Sequence, residues 1–329
     1  MMEKVRFAIP KGHLAEQTYR TLERAGYVIS GDESTYRPTL NDPRIELKVL
    51  RPQEIPIFVS EGLQDLGITG LDWLRETQAD VEVLLDLEYS NVKLVMAVPK
   101  PWTSVGSLSD LVEEFSREGK QLRVSTEYLN LASEYLKRNP LYCRLYGDAE
   151  PQMITPWWKK GENKKVVVFL SFGATEAKPP ENADAIIDVI ETGTTLERND
   201  LKAVETVMES SATLIANKNA LRDPLKQEKI YDILTLLRGV VDARKKLHIF
   251  VNVSKDNLQR LLDSLPALKR PTISPLSDKN WYSVNTVIER DLFLQLLPAL
   301  RKLAQGLVVY EPRQVLPLDE INAGGEQQG

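Results

Sequence analysis

Short apolar runs of period two alternate along this chain with longer runs whose apolar positions recur every three to four residues. The first pattern predicts strands and the second predicts amphipathic helices. Residues 5–9 read as a strand, and residues 14–25 as a helix with Leu14, Tyr19, Leu22 and Ala25 among its apolar positions, closed by Gly26. Residues 45–50, 66–69, 81–87 and 92–98 read as further strands, with helices over 53–61 and 71–76 between them. After Pro99-Lys100-Pro101 the rhythm restarts with a helix over 108–118, a strand over 122–125 and a helix over 128–138. Residues 151–165, which carry Trp157, Trp158 and a Lys/Gly/Asn cluster, break the rhythm and read as an inserted loop. Residues 166–170 and 185–190 are buried-strand candidates. This alternation predicts an α/β fold.

The end of the chain has its own order. A long helix over 224–242 precedes a strand (247–253), a helix (256–265), strands at 270–275 and 282–288, a helix (291–305) and a last strand (307–310). That is the β-α-β-β-α-β order of a ferredoxin-like unit. The Gly/Gln-rich tail, residues 316–329, predicts disorder.

Composition narrows the function. The chain has 329 residues, 42 Lys plus Arg against 47 Asp plus Glu, and a net charge of −5. That balance excludes a general nucleic-acid footprint, though not a local basic pocket. Cys143 is the single cysteine, and His13 and His248 are the two histidines, so an intrachain disulfide is excluded and a His/Cys zinc site would need partner chains. No apolar run reaches the roughly 20 residues of a membrane span, and the N-terminus lacks a signal-peptide core. A cytoplasmic protein with no membrane partner is expected.

The most informative segment is Asp188-Val189-Ile190-Glu191-Thr192-Gly193-Thr194-Thr195-Leu196, an apolar strand that ends in acids and enters a hydroxyl-rich turn before a helix. Glycine lets an anion approach closely, and the helix start offers free amides. The segment is either a monophosphate cradle, with Asp188 and Glu191 facing ribose hydroxyls or a bridging Mg²⁺, or a plain strand-turn-helix capped by threonine. Neither a P-loop nor a G-x-G-x-x-G motif is present. Other strand exits carry similar chemistry: Pro10-Lys11-Gly12-His13-Leu14, Asp65-Leu66-Gly67-Ile68-Thr69-Gly70, Ser125-Thr126-Glu127-Tyr128 and Gly173-Ala174-Thr175-Glu176. Arg37 and Arg51 add cationic candidates, Arg51 directly at a strand exit. Each alone is also an ordinary turn or cap; together they imply a cleft between two α/β lobes.

Taken in order, these segments, with Arg270-Pro271-Thr272-Ile273-Ser274-Pro275-Leu276 near the end, resemble the ATP phosphoribosyltransferase family over nearly the whole chain. The resemblance is to its long form, which has a C-terminal domain. It implies a two-lobed catalytic part like the type II periplasmic binding proteins: lobe one at 1–100 with 204–242, lobe two at 101–203. An ACT-like regulatory domain at 245–315 follows. It implies that 5-phosphoribosyl pyrophosphate (PRPP) and ATP meet in the cleft with Mg²⁺, that L-histidine inhibits, and that dimers assemble into hexamers. PRPP contacts fall on Thr192, Gly193, Thr194, Thr195 and Leu196. Gly12, His13, Arg51, Gly70, Ser125 and Tyr128 fall to ATP or pyrophosphate, and Lys11, Arg37, Asp188 and Glu191 to catalysis, with the last two also facing the metal. Asn252 and Thr272 are the expected histidine contacts. His13 departs from the family, which commonly has arginine there, and histidine is fully charged only part of the time. A solute-binding protein, a free-base phosphoribosyltransferase and a regulatory scaffold are the competing readings.

Overall fold

The computed structural model describes residues 4–31, 35–265, 271–316 and 318. The chain divides into two compact units: Met1–Thr18, Gly31–Thr39 and Pro43–Gln227 form the first, and Tyr19–Ser30, Leu40–Asp42 and Glu228–Gly329 the second.

The first unit holds two sheets. The smaller has strands Val5–Pro10, Ile45–Leu50, Leu66–Gly70, Glu82–Asp86 and Ala212–Ala216. Val5–Pro10 lies parallel to Ile45–Leu50 on one side and Leu66–Gly70 on the other, while Ala212–Ala216 runs antiparallel between Leu66–Gly70 and Glu82–Asp86. The larger, seven-stranded sheet centres on Leu122–Thr126, which pairs in parallel with Asn163–Leu170 and Ala185–Ile190. Val92–Pro99 then runs antiparallel to Ala185–Ile190 and to Leu201–Ser210. Each parallel strand is followed by a helix or turn, so in both sheets the carboxyl ends form one edge, where α/β folds gather ligands.

The chain passes between the sheets twice, after Asp86 and after Ser210. The expected lobe boundaries at 100/101 and 203/204 are therefore corrected: Val92–Pro99 and Leu201–Ser210 both belong to the second lobe. Leu201–Ser210 escaped the pattern because its register shifts twice against Val92–Pro99, which scrambles the alternation of faces. The helix Pro224–Arg244, placed with lobe one by resemblance, lies mostly in the second unit.

Both lobes are pinned at the opposite edge by the same device. Arg6, second in its strand, donates through its backbone N, Nε and Nη2 to Asp65, at 2.9, 3.0 and 2.7 Å. Arg123, second in its own strand, repeats this with Asp184 at 2.7, 3.0 and 2.8 Å. Each aspartate directly precedes the neighbouring parallel strand. A bidentate arginine satisfies a buried carboxylate better than any monodentate partner.

The inserted loop is not a loop. Pro151–Ile154 and Lys159–Lys160 form a hairpin that extends the larger sheet. The Thr155 hydroxyl accepts from the amides of Trp157 and Trp158 at 3.2 and 3.1 Å, closing the turn. Gly161 has φ +94°, and a Cβ there would meet the Pro151 carbonyl oxygen at 2.1 Å, so only glycine fits.

The second unit has a four-stranded antiparallel sheet in the order Thr272–Pro275, Trp281–Glu289, Lys246–Ser254, Ala304–Tyr310. With helices Lys255–Ser264 and Phe293–Leu303 this is the expected ferredoxin-like order, and Ile249, Val251, Leu261, Val284 and Leu300 build its core. Arg270 lies outside the described residues. At the expected domain end the Val315 amide donates to Gly239 O at 2.9 Å, and order reaches into the expected tail at Leu316, which a Cβ on Gly239 would meet at 2.2 Å. The rest of the expected disordered tail, apart from Leu318, lies outside the described residues.

Candidate active site

A cleft of about 300 Å³ opens where the carboxyl edges of the two sheets face one another, and four strand exits supply its walls. Lys11, Gly12 and His13 follow the strand Val5–Pro10, and Arg51 follows Ile45–Leu50. Glu127 and Tyr128 follow Leu122–Thr126, while Asp188 stands on Ala185–Ile190. Cations thus come from one lobe and carboxylates from the other, an arrangement suited to an anionic ligand that also carries hydroxyls or a metal.

Of the residues singled out from sequence, Lys11, Gly12, His13, Arg51, Tyr128 and Asp188 line this cleft. Lys11 is held beside Tyr36, with its Nζ 3.5 Å from the hydroxyl and 5.2 Å from the ring centre. Arg37 is exposed on the segment that follows the undescribed residues 32–34, and does not line the cleft.

The carboxylates are electrostatically tuned. Burial pushes the Asp188 carboxyl up to about 6, against the opposing pull of the Val189 amide at 2.8 Å and the Thr175 hydroxyl; the negative charges of Glu176 and Glu127 push it further. Glu127 is also raised by burial, while Lys178 and Arg51 draw it down. Lys178 reaches the Ser171 hydroxyl, which also accepts from Thr175 at 3.1 Å. Lys178 therefore brings a further cation beside Glu127, from a loop read only as far as Glu176.

The hydroxyl-rich turn leads from the strand Ala185–Ile190 into the short helix Thr194–Arg198. Gly193 has φ +79°, the left-handed region that favours glycine. Thr192, Thr194 and Thr195 are exposed, with the Thr192 and Thr194 hydroxyls 2.9 Å apart. Leu196 differs: its side chain is only 3 % exposed, packed with Val95, Ala97, Ile186 and Leu201, so it anchors the turn and leaves ligand contact to its neighbours. Glu191 lies apart from Asp188, in another depression of about 360 Å³ with Asp86, Lys93 and Glu209.

Gly70 and Ser125 have different duties from those expected. A Cβ on Gly70 would stand 2.1 Å from Asp72 Oδ1, so this glycine makes room for the Asp72 carboxylate to fold back. That carboxylate accepts from the Tyr128 hydroxyl at 2.7 Å and from the Ser210 hydroxyl at 2.6 Å. Burial and the Asp72 charge raise the Tyr128 phenol far above its ordinary value, so Tyr128 stays protonated. Ser125 is 2 % exposed and sits within the sheet between Phe169 and Ile186, away from the cleft surface. Trp73, stacked on Tyr128 at 4.4 Å, and Gln53 also line the cleft. Both stand beside the motifs read from sequence, but neither was singled out.

No group of three or more His, Cys, Asp or Glu side chains able to hold a metal occurs among the described residues. Asp188 and Glu127 are the carboxylates on the cleft wall, oxygen donors of the kind that suit a hard cation such as Mg²⁺. In the second unit, Asn252 and Thr272 are exposed on strands separated by Trp281–Glu289, opposite Ser283 and Asn285 respectively.

The family model described as ATP phosphoribosyltransferase matches residues 51–239. That of the family's C-terminal domain matches residues 243–313. The chain belongs to the ATP phosphoribosyltransferase family. It is of the long form, a pentosyltransferase of histidine biosynthesis with its C-terminal domain attached. An ATP phosphoribosyltransferase of Pelotomaculum thermopropionicum is 36 % identical over 95 % of this chain and 100 % of its own length. One from Thermodesulfovibrio yellowstonii is 37 % identical over 96 % of this chain and all of its own. Among solved structures, the ATP phosphoribosyl transferase (HisG:HisZ) complex from Thermotoga maritima aligns with a TM-score of 0.54 at 22 % identity. It covers 72 % of this chain and 98 % of its own, a likeness of fold. No described helix is long and apolar enough to cross a membrane.

Proposed function

We propose that the protein transfers the 5-phosphoribosyl group of PRPP to N1 of ATP, releasing pyrophosphate, and that L-histidine inhibits it through the C-terminal domain. The observation that carries the catalytic part is the cleft itself: Lys11, His13 and Arg51 on one wall face Asp188 and Glu127 on the other.

In this reading the Thr192–Thr195 turn holds the 5-phosphate through hydroxyls and amides. Asp188 accepts from ribose hydroxyls, and its carboxylate with Glu127 would meet the Mg²⁺ that neutralises pyrophosphate. Lys11 and Arg51 neutralise the phosphates. The N1 lone pair of adenine forms the new bond to C1 as the C1–oxygen bond breaks, and pyrophosphate leaves with that electron pair. No general base is needed, because N1 carries no proton; positioning and electrostatics supply the acceleration. His13, on the same wall as Lys11, offers a ring nitrogen to the departing pyrophosphate. Cytoplasmic location and assembly from dimers to hexamers belong to the same proposal.

The test is turnover of purified protein with ATP, PRPP and Mg²⁺, followed by ultraviolet absorbance with pyrophosphatase present. ATP-dependent product is expected, with free bases inactive. Product from a free base instead of ATP would replace this reading by that of another phosphoribosyltransferase.

A further inference from the structure

One face of the cleft is joined to the other in part through Glu76, an acidic side chain that the mechanism above does not use. Glu76 lies on the helix Leu71–Thr77 of the first lobe and is 9 % exposed. Its Oε1 accepts from the backbone amide of Asn130 at 3.0 Å and its Oε2 from that of Leu131 at 3.0 Å. Its backbone carbonyl accepts from Asn130 Nδ2 at 2.8 Å. Both amides belong to the first turn of the helix Leu129–Arg138 in the second lobe, where backbone donors have no partner within the helix. Such donors are ordinarily satisfied by the residue just before the helix. Here that residue is Tyr128, which makes no capping bond, its hydroxyl being given to Asp72. The cap is supplied from the opposite lobe.

The same short helix makes the other cross-lobe contacts at this point. Asp72 accepts from the Tyr128 hydroxyl at 2.7 Å, and Trp73 stacks on the Tyr128 ring with a 28° tilt. Tyr128 and its neighbour Glu127 line the cleft. The segment that carries the carboxylate wall is therefore fixed, residue by residue, to the lobe that carries the cations. Both carboxylate oxygens of Glu76 are engaged as acceptors, so glutamine can replace only half of the function.

We propose that Glu76 is a positioning residue: by capping the helix Leu129–Arg138 across the lobe boundary, it holds Glu127 and Tyr128 at the spacing from Lys11 and Arg51 that the reaction needs. The inference rests on the reading of the cleft as the place where PRPP and ATP meet.

The test compares wild type, E76Q and E76A by amide hydrogen exchange without ligands and by kcat and KM for each substrate, at a temperature where each variant is folded. In E76A the amides of Asn130 and Leu131 are expected to exchange at least ten-fold faster, with the strand Leu122–Thr126 unchanged. The kcat at saturation of both substrates should fall at least ten-fold, and E76Q should recover part of both losses. A cap that serves stability alone leaves the kcat of folded protein untouched, so wild-type kcat and KM in both variants would overturn the proposal, as would unchanged exchange in E76A. If E76A does not fold, E76Q alone carries the comparison, with an intermediate kcat loss expected. Should wild-type protein make no product, the reading of the reaction has failed; the clasp is then judged by calorimetric binding of PRPP, expected to weaken about ten-fold in E76Q, and unchanged binding overturns it.

Discussion

At the scale of single residues, burial decides which acids can act. Asp188 and Glu76 are both raised, to about 6 and about 7 respectively, because each loses solvation on folding. A carboxyl whose folded value lies above its unfolded one binds extra protons in the folded state, so stability falls as pH rises through that interval. For Glu76 the interval runs from 4.5 to about 7. The ligand-free protein should therefore lose stability across this range, by an amount on the order of 2–3 kcal/mol from this group. Denaturant titrations at several pH values should show that slope reduced in E76Q. Ionised Asp188 is the form that accepts ribose hydroxyls, so PRPP affinity should decline below about pH 6, the value to which burial raises this group, as calorimetry would register. Asp188→Asn should lower kcat/KM by roughly 100-fold, while Glu191→Gln, in its separate depression, should cost less than ten-fold. Equal losses would place Glu191 in the cleft chemistry after all. Lys11 and Arg51 were legible because each follows a strand within a short motif, and Asp188 because its strand runs into the hydroxyl-rich turn. Glu76 and Lys178 were not, because their partners, Asn130 and Ser171, belong to other segments and no spacing along the chain reports that meeting.

At the scale of elements, the repeated arginine–aspartate pair ties each lobe together beneath its site. Burial alone would raise Asp65, but Arg6 and Lys226 outweigh it and hold its carboxyl below the ordinary value. The stability this supplies is present above the unfolded value of 3.8 and is lost as pH falls through the lower folded one. Asp65→Asn removes the buried negative charge that faces Arg6 and Lys226 and should destabilise the fold by about 3 kcal/mol at neutral pH, read as a fall in denaturation midpoint. Gly161→Ala should also destabilise, since its methyl would collide with the Pro151 carbonyl. A wild-type midpoint in either would contradict the packing described. Strand and helix identities were largely readable where the period held, as at Val5–Pro10 and Ala185–Ile190. The exceptions have local causes. Bulges in Leu201–Ser210 broke its alternation, and a threonine-closed turn with an obligatory glycine hid the 151–160 hairpin among residues that usually signal loops.

At the scale of the whole molecule, a catalytic unit of two sheets and a ferredoxin-like unit share one chain. Strand order in the second unit was readable from sequence because its elements are short and cleanly punctuated. The lobe boundaries were not, since strands that cross between sheets look the same as strands that stay. If histidine acts through the second unit, inhibition should weaken at least five-fold in Asn252→Ala while uninhibited kcat stays within two-fold, measured as the histidine concentration for half inhibition. The central claim concerns a single bond, between C1 of the ribose and N1 of adenine. It is tested most directly by incubating the protein with Mg²⁺, PRPP labelled with ¹³C at C1 and ATP labelled with ¹⁵N at N1, and recording the product by nuclear magnetic resonance. A one-bond carbon–nitrogen coupling, with pyrophosphate released in equal amount, is the predicted result. Unlabelled linkage, or ATP recovered intact while PRPP remains bound, would contradict it.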